Sequence, residues 1–203
     1  MKTVRVGIAG HMGSGKSEAA DALKEFDPVI IDADAEAKSL MGESAELKSQ
    51  LTRSFGSDIL IGERIDFPVL GHRAFASRER LAALNRIVHP PLIQRLRDAV
   101  GRCGQPLCVL DAALIPLWNI EDWFNVLLWI QAPYAVRLSR LKGNVSLSEG
   151  ELARRMDLQE SMMPPPSSPP WSVVSNDGSP GQFRKCVRRT VEPGLSEGEG
   201  KNE

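Results

Sequence analysis

The chain has 203 residues, a formal net charge of -1, and 42% hydrophobic against 25% charged side chains. That length supports one domain with a sizeable core and small inserted subdomains, and a charge this near zero excludes a broad basic surface for nucleic acid. The longest apolar stretches fall short of a membrane span, Met1-Lys2-Thr3 leads into the first strand without a leader pattern, and Cys103, Cys108 and Cys186 have neither metal-ligand nor redox spacing, so the expectation is a cytoplasmic protein with reduced thiols.

Val4, Val6, Ile8 and Ala9 form a short apolar run bounded by glycine, which predicts a buried strand. Gly10-His11-Met12-Gly13-Ser14-Gly15-Lys16-Ser17 follows and fits the phosphate-loop pattern G-x-x-x-x-G-K-[ST] at every fixed position. Ser17 to Lys24 is rich in helix formers, so the loop has the strand–loop–helix setting the pattern requires. A chance glycine-rich turn is the competing reading. Glycines let backbone approach a ligand closely, and the first N–H groups of a helix attract anions. Gly13, Ser14, Gly15, Lys16, Ser17 and Glu18 are therefore expected to hold nucleotide phosphates. Lys16 supplies a mobile charge for the outer phosphates, and the Ser17 hydroxyl is the expected ligand of a bridging Mg²⁺.

Val29-Ile30-Ile31 reads as a second short strand, ending in Asp32-Ala33-Asp34. Ligands of parallel α/β sheets sit beyond the carboxyl ends of the strands, so two carboxylates there suit an acceptor hydroxyl or a hydrated metal. Asp32 is expected to cap or orient, and Asp34 to accept a proton as an alcohol attacks phosphorus. From Ala35 to Arg102 the pattern is mostly helical: 35–41, 45–55, a loop punctuated by Gly56 and Gly62, a helix opened by Pro68, another over 78–88, and a further one begun by Pro90-Pro91 and reaching about Val100. Such a crossover beside a phosphate-loop core suits the second substrate.

Pro106 to Leu110 predicts a third strand, and Asp111 ends it in the manner of a metal-shell acid, although many buried strands end in Asp. Trp118 and Trp123 read as packing residues. Val126 to Gln131 has no alternation, as expected of a central parallel strand covered on both faces. Pro133 starts a helix with Arg137, Arg140 and Lys142, broken at Gly143-Asn144. Ser146 or Ser148 caps the next, 149–160, which carries Arg154 and Arg155. An arginine-bearing helical hairpin suggests a lid over phosphates, with one of Arg137 and Arg140 making the contact. The alternative is a solvated charged face. Met162 to Pro170 is irregular, Trp171 to Ser175 a fifth strand, and Pro180 to Val191 a last helix, with 193–203 expected to be a disordered tail.

Taken together, these residues resemble the dephospho-CoA kinase family from Val4 to about Val191. The resemblance rests on the phosphate loop, Asp32-Ala33-Asp34, Phe55-Gly56, Ile65-Asp66, Leu70, Phe75, Asp111-Ala112-Ala113-Leu114-Ile115, the lid region ending at Gln159, Asn176-Asp177-Gly178 and, most specifically, Leu84-Asn85-Arg86-Ile87-Val88-His89-Pro90. It departs from the family pattern at Glu18, Phe67, Leu117, Asn125 and Lys142. It implies an α/β, P-loop nucleoside-triphosphate-hydrolase-like three-layer fold with a parallel β-sheet core, a helical acceptor-binding domain and a small helical lid. One domain is implied over 1–192, with its core at 1–34, 105–136 and 171–192, the acceptor region at 35–104 and the lid at 137–160. The implied activity is transfer from ATP, with Mg²⁺, to the 3′-hydroxyl of dephospho-CoA, giving coenzyme A. Lys16, Asp34 and Arg140 are then catalytic, Asp32, Asp34 and His89 substrate-binding, and Asn176 lies near the adenine. Without the resemblance, His89 reads as a helix-end histidine tied to a carbonyl. The rival functions are a kinase for another small acceptor, such as a nucleoside monophosphate, and a nucleotide-binding protein without catalysis.

Overall fold

The computed structural model describes residues 3–142, 147–166 and 169–199. The sequence-expected features at Gly143, Asn144, Ser146 and 200–203 lie outside them. In chain order the elements are β1 (Val4–Ala9), α1 (Lys16–Ala22), β2 (Val29–Asp32), α2 (Ala33–Glu43), α3 (Ala45–Phe55), β3 (Leu60–Ile61), β4 (Arg64–Ile65), α4 (Phe67–Ala74) and α5 (Arg78–Arg102). There follow β5 (Leu107–Asp111), α6 (Ile115–Trp118), β6 (Val126–Gln131), α7 (Tyr134–Lys142), α8 (Glu149–Met162), β7 (Trp171–Ser175) and α9 (Pro180–Glu199). The chain divides into two compact units, Met1–Asp32 with Val100–Glu203, and Ala33–Ala99. Among the described residues no helix is long and apolar enough to cross a membrane.

The first unit is built on a five-stranded sheet ordered β2-β5-β1-β6-β7, in which every pairing is parallel. Val4, Val6 and Ile8 alternate along β1 onto one face, in a core with Ala19, Ala20 and Leu23 of α1 and Phe183, Val187 and Val191 of α9. Gly7 faces the other way, where an added Cβ would meet Ile115 of α6 and Phe124. Helices thus cover both faces, and Leu127 to Ile130 of β6 are all buried, as a strand covered on both faces requires. The register sets Asp111 beside both Ile8 and Asp32, so β1, β2 and β5 end together at one edge.

The second unit packs α2, α3, α4 and most of α5 around Leu47, Leu51, Phe55, Ile59, Ile65, Leu70 and Leu81. Ser44 caps α3 by accepting from the Leu47 N–H at 3.2 Å, and Asp66 caps α4 from Val69 at 3.1 Å. Arg95 of α5 ties α2 down, with Nε 2.6 Å from Glu36 and Nη1 2.7 Å from Glu43.

Three sequence expectations are corrected. The loop punctuated by Gly56 and Gly62 contains the antiparallel hairpin β3–β4, closed by two residues with Gly62 at φ 62°. The two helices expected on either side of Pro90-Pro91 are the single helix α5, because Leu81, Val88, Leu92, Leu96 and Val100 bury one continuous stripe that outweighs the two missing N–H groups. The tail expected to be disordered from 193 is helical to Glu199. Its polar composition hides Leu195, which continues the four-residue spacing of Phe183, Val187 and Val191 and packs on the same core. The unit boundaries, at 32/33 and 99/100, also differ from those read off the sequence, 34/35 and 104/105.

Candidate active site

The loop from Gly10 to Ser17 leaves β1 at its carboxyl end and turns into α1. Gly13 and Gly15 take φ values of 76° and 98°, left-handed conformations that cost other residues about 1–2 kcal/mol. Space also demands glycine: a Cβ on Gly15 would lie 2.1 Å from Asn176 Nδ2, and one on Gly13 2.8 Å from the Arg137 carbonyl oxygen. Ser14 is 1% exposed, and its N–H donates to the His11 carbonyl at 3.1 Å.

Around the loop stand groups from distant parts of the chain. Asn176 follows β7, donates its N–H to the Gln131 carbonyl at 2.7 Å and its Nδ2 to the Ser14 carbonyl at 2.9 Å, and is 2% exposed. Arg140 of α7 places Nη1 at 3.4 and 3.3 Å from the Gly13 and Ser14 carbonyls, and Nη2 at 2.9 Å from the Asn176 carbonyl. Arg137 is 3% exposed: it donates to the Ala132 carbonyl, pairs with Glu160 and sets Nη1 3.4 Å from the Met12 carbonyl. Of the two arginines expected to provide a phosphate contact, Arg137 is therefore a buried brace, whereas Arg140 lies against the Gly13–Ser14 backbone. Arg155 pairs with Glu151 and Lys142 with Glu149, within the hairpin itself.

The Ser17 hydroxyl donates to Asp111 Oδ2 at 3.2 Å. A hydroxyl and a carboxylate side by side are hard oxygen donors of the kind Mg²⁺ takes alongside phosphates and waters. Asp32 stands next to Asp111 across the β2–β5 pairing. The Glu18 carboxylate turns to Arg184 of α9 at 3.4 Å, which leaves its backbone N–H as the part suited to a phosphate. Asp34 and His89 belong to the helical unit. Asp34 is exposed in the first turn of α2, and burial pushes His89 of α5 down to about 4, so its imidazole is neutral.

Two residues at the loop had no role assigned from the sequence. His11 sets Nε2 2.8 Å from the Met163 carbonyl and meets Trp129 edge-on at 5.1 Å. Burial, more than any neighbour, lowers its pKa. Gln159, a landmark of the resemblance, accepts the Met12 N–H at 2.8 Å. His11 occupies a variable position of the motif, and the sequence carries no signal of its contact.

A phosphate loop whose serine meets the acid ending a neighbouring parallel strand, clamped by an arginine-bearing helical hairpin, defines a P-loop nucleotide-binding protein of the small-kinase type. The family model for dephospho-CoA kinase matches residues 4–179, and the chain belongs to that family. A dephospho-CoA kinase from Thermobifida fusca is 30% identical over 160 residues, 78% of this chain and 80% of its own. One from Thermus thermophilus is 29% identical over 186 residues, 92% and 89% of the two chains. A solved Thermus thermophilus protein superposes with a TM-score of 0.68 at 28% identity, covering 97% of this chain and 98% of that one. Shikimate kinase from Bacteroides thetaiotaomicron, with a TM-score of 0.55 at 11% identity over 94% and 97% of the chains, shares the fold alone.

Proposed function

We propose that the protein phosphorylates the 3′-hydroxyl of dephospho-CoA with ATP, giving coenzyme A and ADP, the last step of coenzyme A synthesis. The observation that carries this reading is the clamped phosphate loop with its Ser17–Asp111 pair, in a chain matched to the family over 4–179. In the proposed reaction the acceptor oxygen attacks the γ-phosphorus in line. The new O–P bond forms as the bond to the β-phosphate oxygen breaks, ADP leaves, and the hydroxyl proton passes to Asp34. The loop amides and Lys16 hold the phosphates and neutralise charge that grows on them. Ser17, with Asp111 and Asp32 beside it, would hold and orient the Mg²⁺ that arrives with ATP, which would supply positive charge to the phosphate oxygens. Arg140 adds a permanent positive charge beside the loop.

The helical unit, 33–99, is assigned to the acceptor, with His89 as a neutral hydrogen-bonding group. The α7–α8 hairpin acts as lid, and Asn176 lies at the adenine end. The reaction belongs in the cytoplasm, where ATP is made available. The test is ADP release from MgATP with dephospho-CoA, with nucleoside monophosphates, and with no acceptor. ADP formed only with dephospho-CoA, and lost in a folded Lys16→Ala variant, is expected. Turnover with a monophosphate instead would refute the acceptor assignment, and full turnover by Asp34→Asn would remove it as the base.

A further inference from the structure

The half of the loop that the motif leaves variable is not loose. The Met12 N–H donates to Gln159 Oε1 at 2.8 Å, and on the other side of the same peptide the His11 carbonyl accepts the Ser14 N–H at 3.1 Å. The next peptide is held too: Arg137 reaches the Met12 carbonyl at 3.4 Å and is itself gripped by Glu160. Gln159 acts a second time through its backbone. Its carbonyl accepts the Met163 N–H at 2.9 Å, and the Met163 carbonyl in turn faces His11 Nε2 at 2.8 Å. Apart from Arg137, which belongs to α7, the groups that reach the loop, Gln159 and the Met163 carbonyl, come from the last turn of α8 and the residue after it, as does Glu160, the partner of Arg137. That turn is fixed in place by Met156 and Met163, 0% and 3% exposed.

Peptide units are planar and trans, so a carbonyl held in one direction aims the following N–H in the other. Holding the Met12 carbonyl towards α7 therefore aims the Gly13 N–H, an amide of the phosphate-binding set, away from α7. Fixing the His11–Met12 peptide sets the start of that turn. The loop is thus shaped by side chains from α7 and α8 before any phosphate arrives, and a preshaped site loses less freedom on binding.

We propose that Gln159 is a positioning residue of this nucleotide site. It acts through Met12, and the part of nucleotide affinity that comes from the phosphates beyond the first depends on it. The proposal rests on reading the loop as a nucleotide site and is independent of the acceptor. It is tested by calorimetric titration of the full chain with MgADP and with AMP, comparing wild type, Gln159→Met and Gln159→Glu. Methionine matches the length of glutamine but cannot accept from the Met12 N–H, whereas glutamate can. The expected result is that Gln159→Met weakens MgADP about tenfold and AMP less than twofold, while Gln159→Glu stays within about threefold of wild type for both. Equal weakening of MgADP and AMP in Gln159→Met, which is what mere loss of structure gives, overturns the proposal. So does unchanged MgADP affinity, a Gln159→Glu variant as weak as Gln159→Met, or a wild type that does not bind MgADP. A wild type that binds MgADP but does not phosphorylate dephospho-CoA refutes the proposed activity and leaves this test intact.

Discussion

His89 lies inside a 25-residue helix rather than at its end, and its burial lowers its pKa from 6.5 to about 4. The sign of the consequence follows from linkage. The unfolded chain takes up a proton near pH 6.5 that the folded chain refuses until about 4, so stability present above pH 6.5 is lost as pH falls through that window and then levels off. Urea midpoints should fall between pH 7 and pH 4.5, and His89→Gln should flatten that slope. An unchanged slope in the variant would show that other groups dominate. His11, also lowered by burial, contributes in the same direction. At this scale the motif residues were legible in the sequence because their chemistry is fixed by type and adjacency. Gly15, Lys16 and Ser17 announce themselves. The partners that clamp them did not, because Asn176 is 162 positions from Ser14 and Gln159 147 positions from Met12. Nothing local marks an amide side chain as a loop clamp, and Arg137 and Arg140 differ in burial in a way that a shared charge conceals.

At the scale of elements, α9 carries the clearest energetic statement. Leu195 packs against the core one helical repeat beyond Val191, although the residues around it are polar, proline or glycine. Leu195→Ala should cost about 1 kcal/mol, less than the roughly 2–5 kcal/mol of a fully buried leucine because the site is only partly covered. Chemical denaturation measures this directly, and a variant as stable as wild type would mean that the last turns of α9 are dispensable. Strands β6 and β7 were read from sequence with their observed limits; for the buried β6 this is because a continuous apolar run between turn residues has few other fates. Pro90-Pro91 misled because proline is a strong local signal. A stripe at 81, 88, 92, 96 and 100 acts over about five turns and decides the outcome once tertiary burial is counted. The hairpin β3–β4 is two residues per strand, too short to carry an alternating pattern.

At the scale of the whole molecule, the strand order sets the sequence of assembly. β5 lies between β1 and β2, so β2 has no sheet neighbour until Leu107–Asp111 is in place, whereas β1 also pairs with β6. In pulse-labelled refolding of the full chain, amides of β2 should gain protection with those of β5 and not before. Protection of β2 ahead of β5 would contradict this. Contacts this distant in sequence form slowly, whereas the helical unit depends on partners within 33–99. For synthesis on a ribosome the order has a further meaning. The phosphate loop is among the first segments made, but its floor arrives with Asp111 and its clamps with Arg140, Gln159 and Asn176. The loop therefore acquires its last clamp only when Asn176 has been made, and a nascent chain that stops short of it carries the motif without the groups that hold its shape.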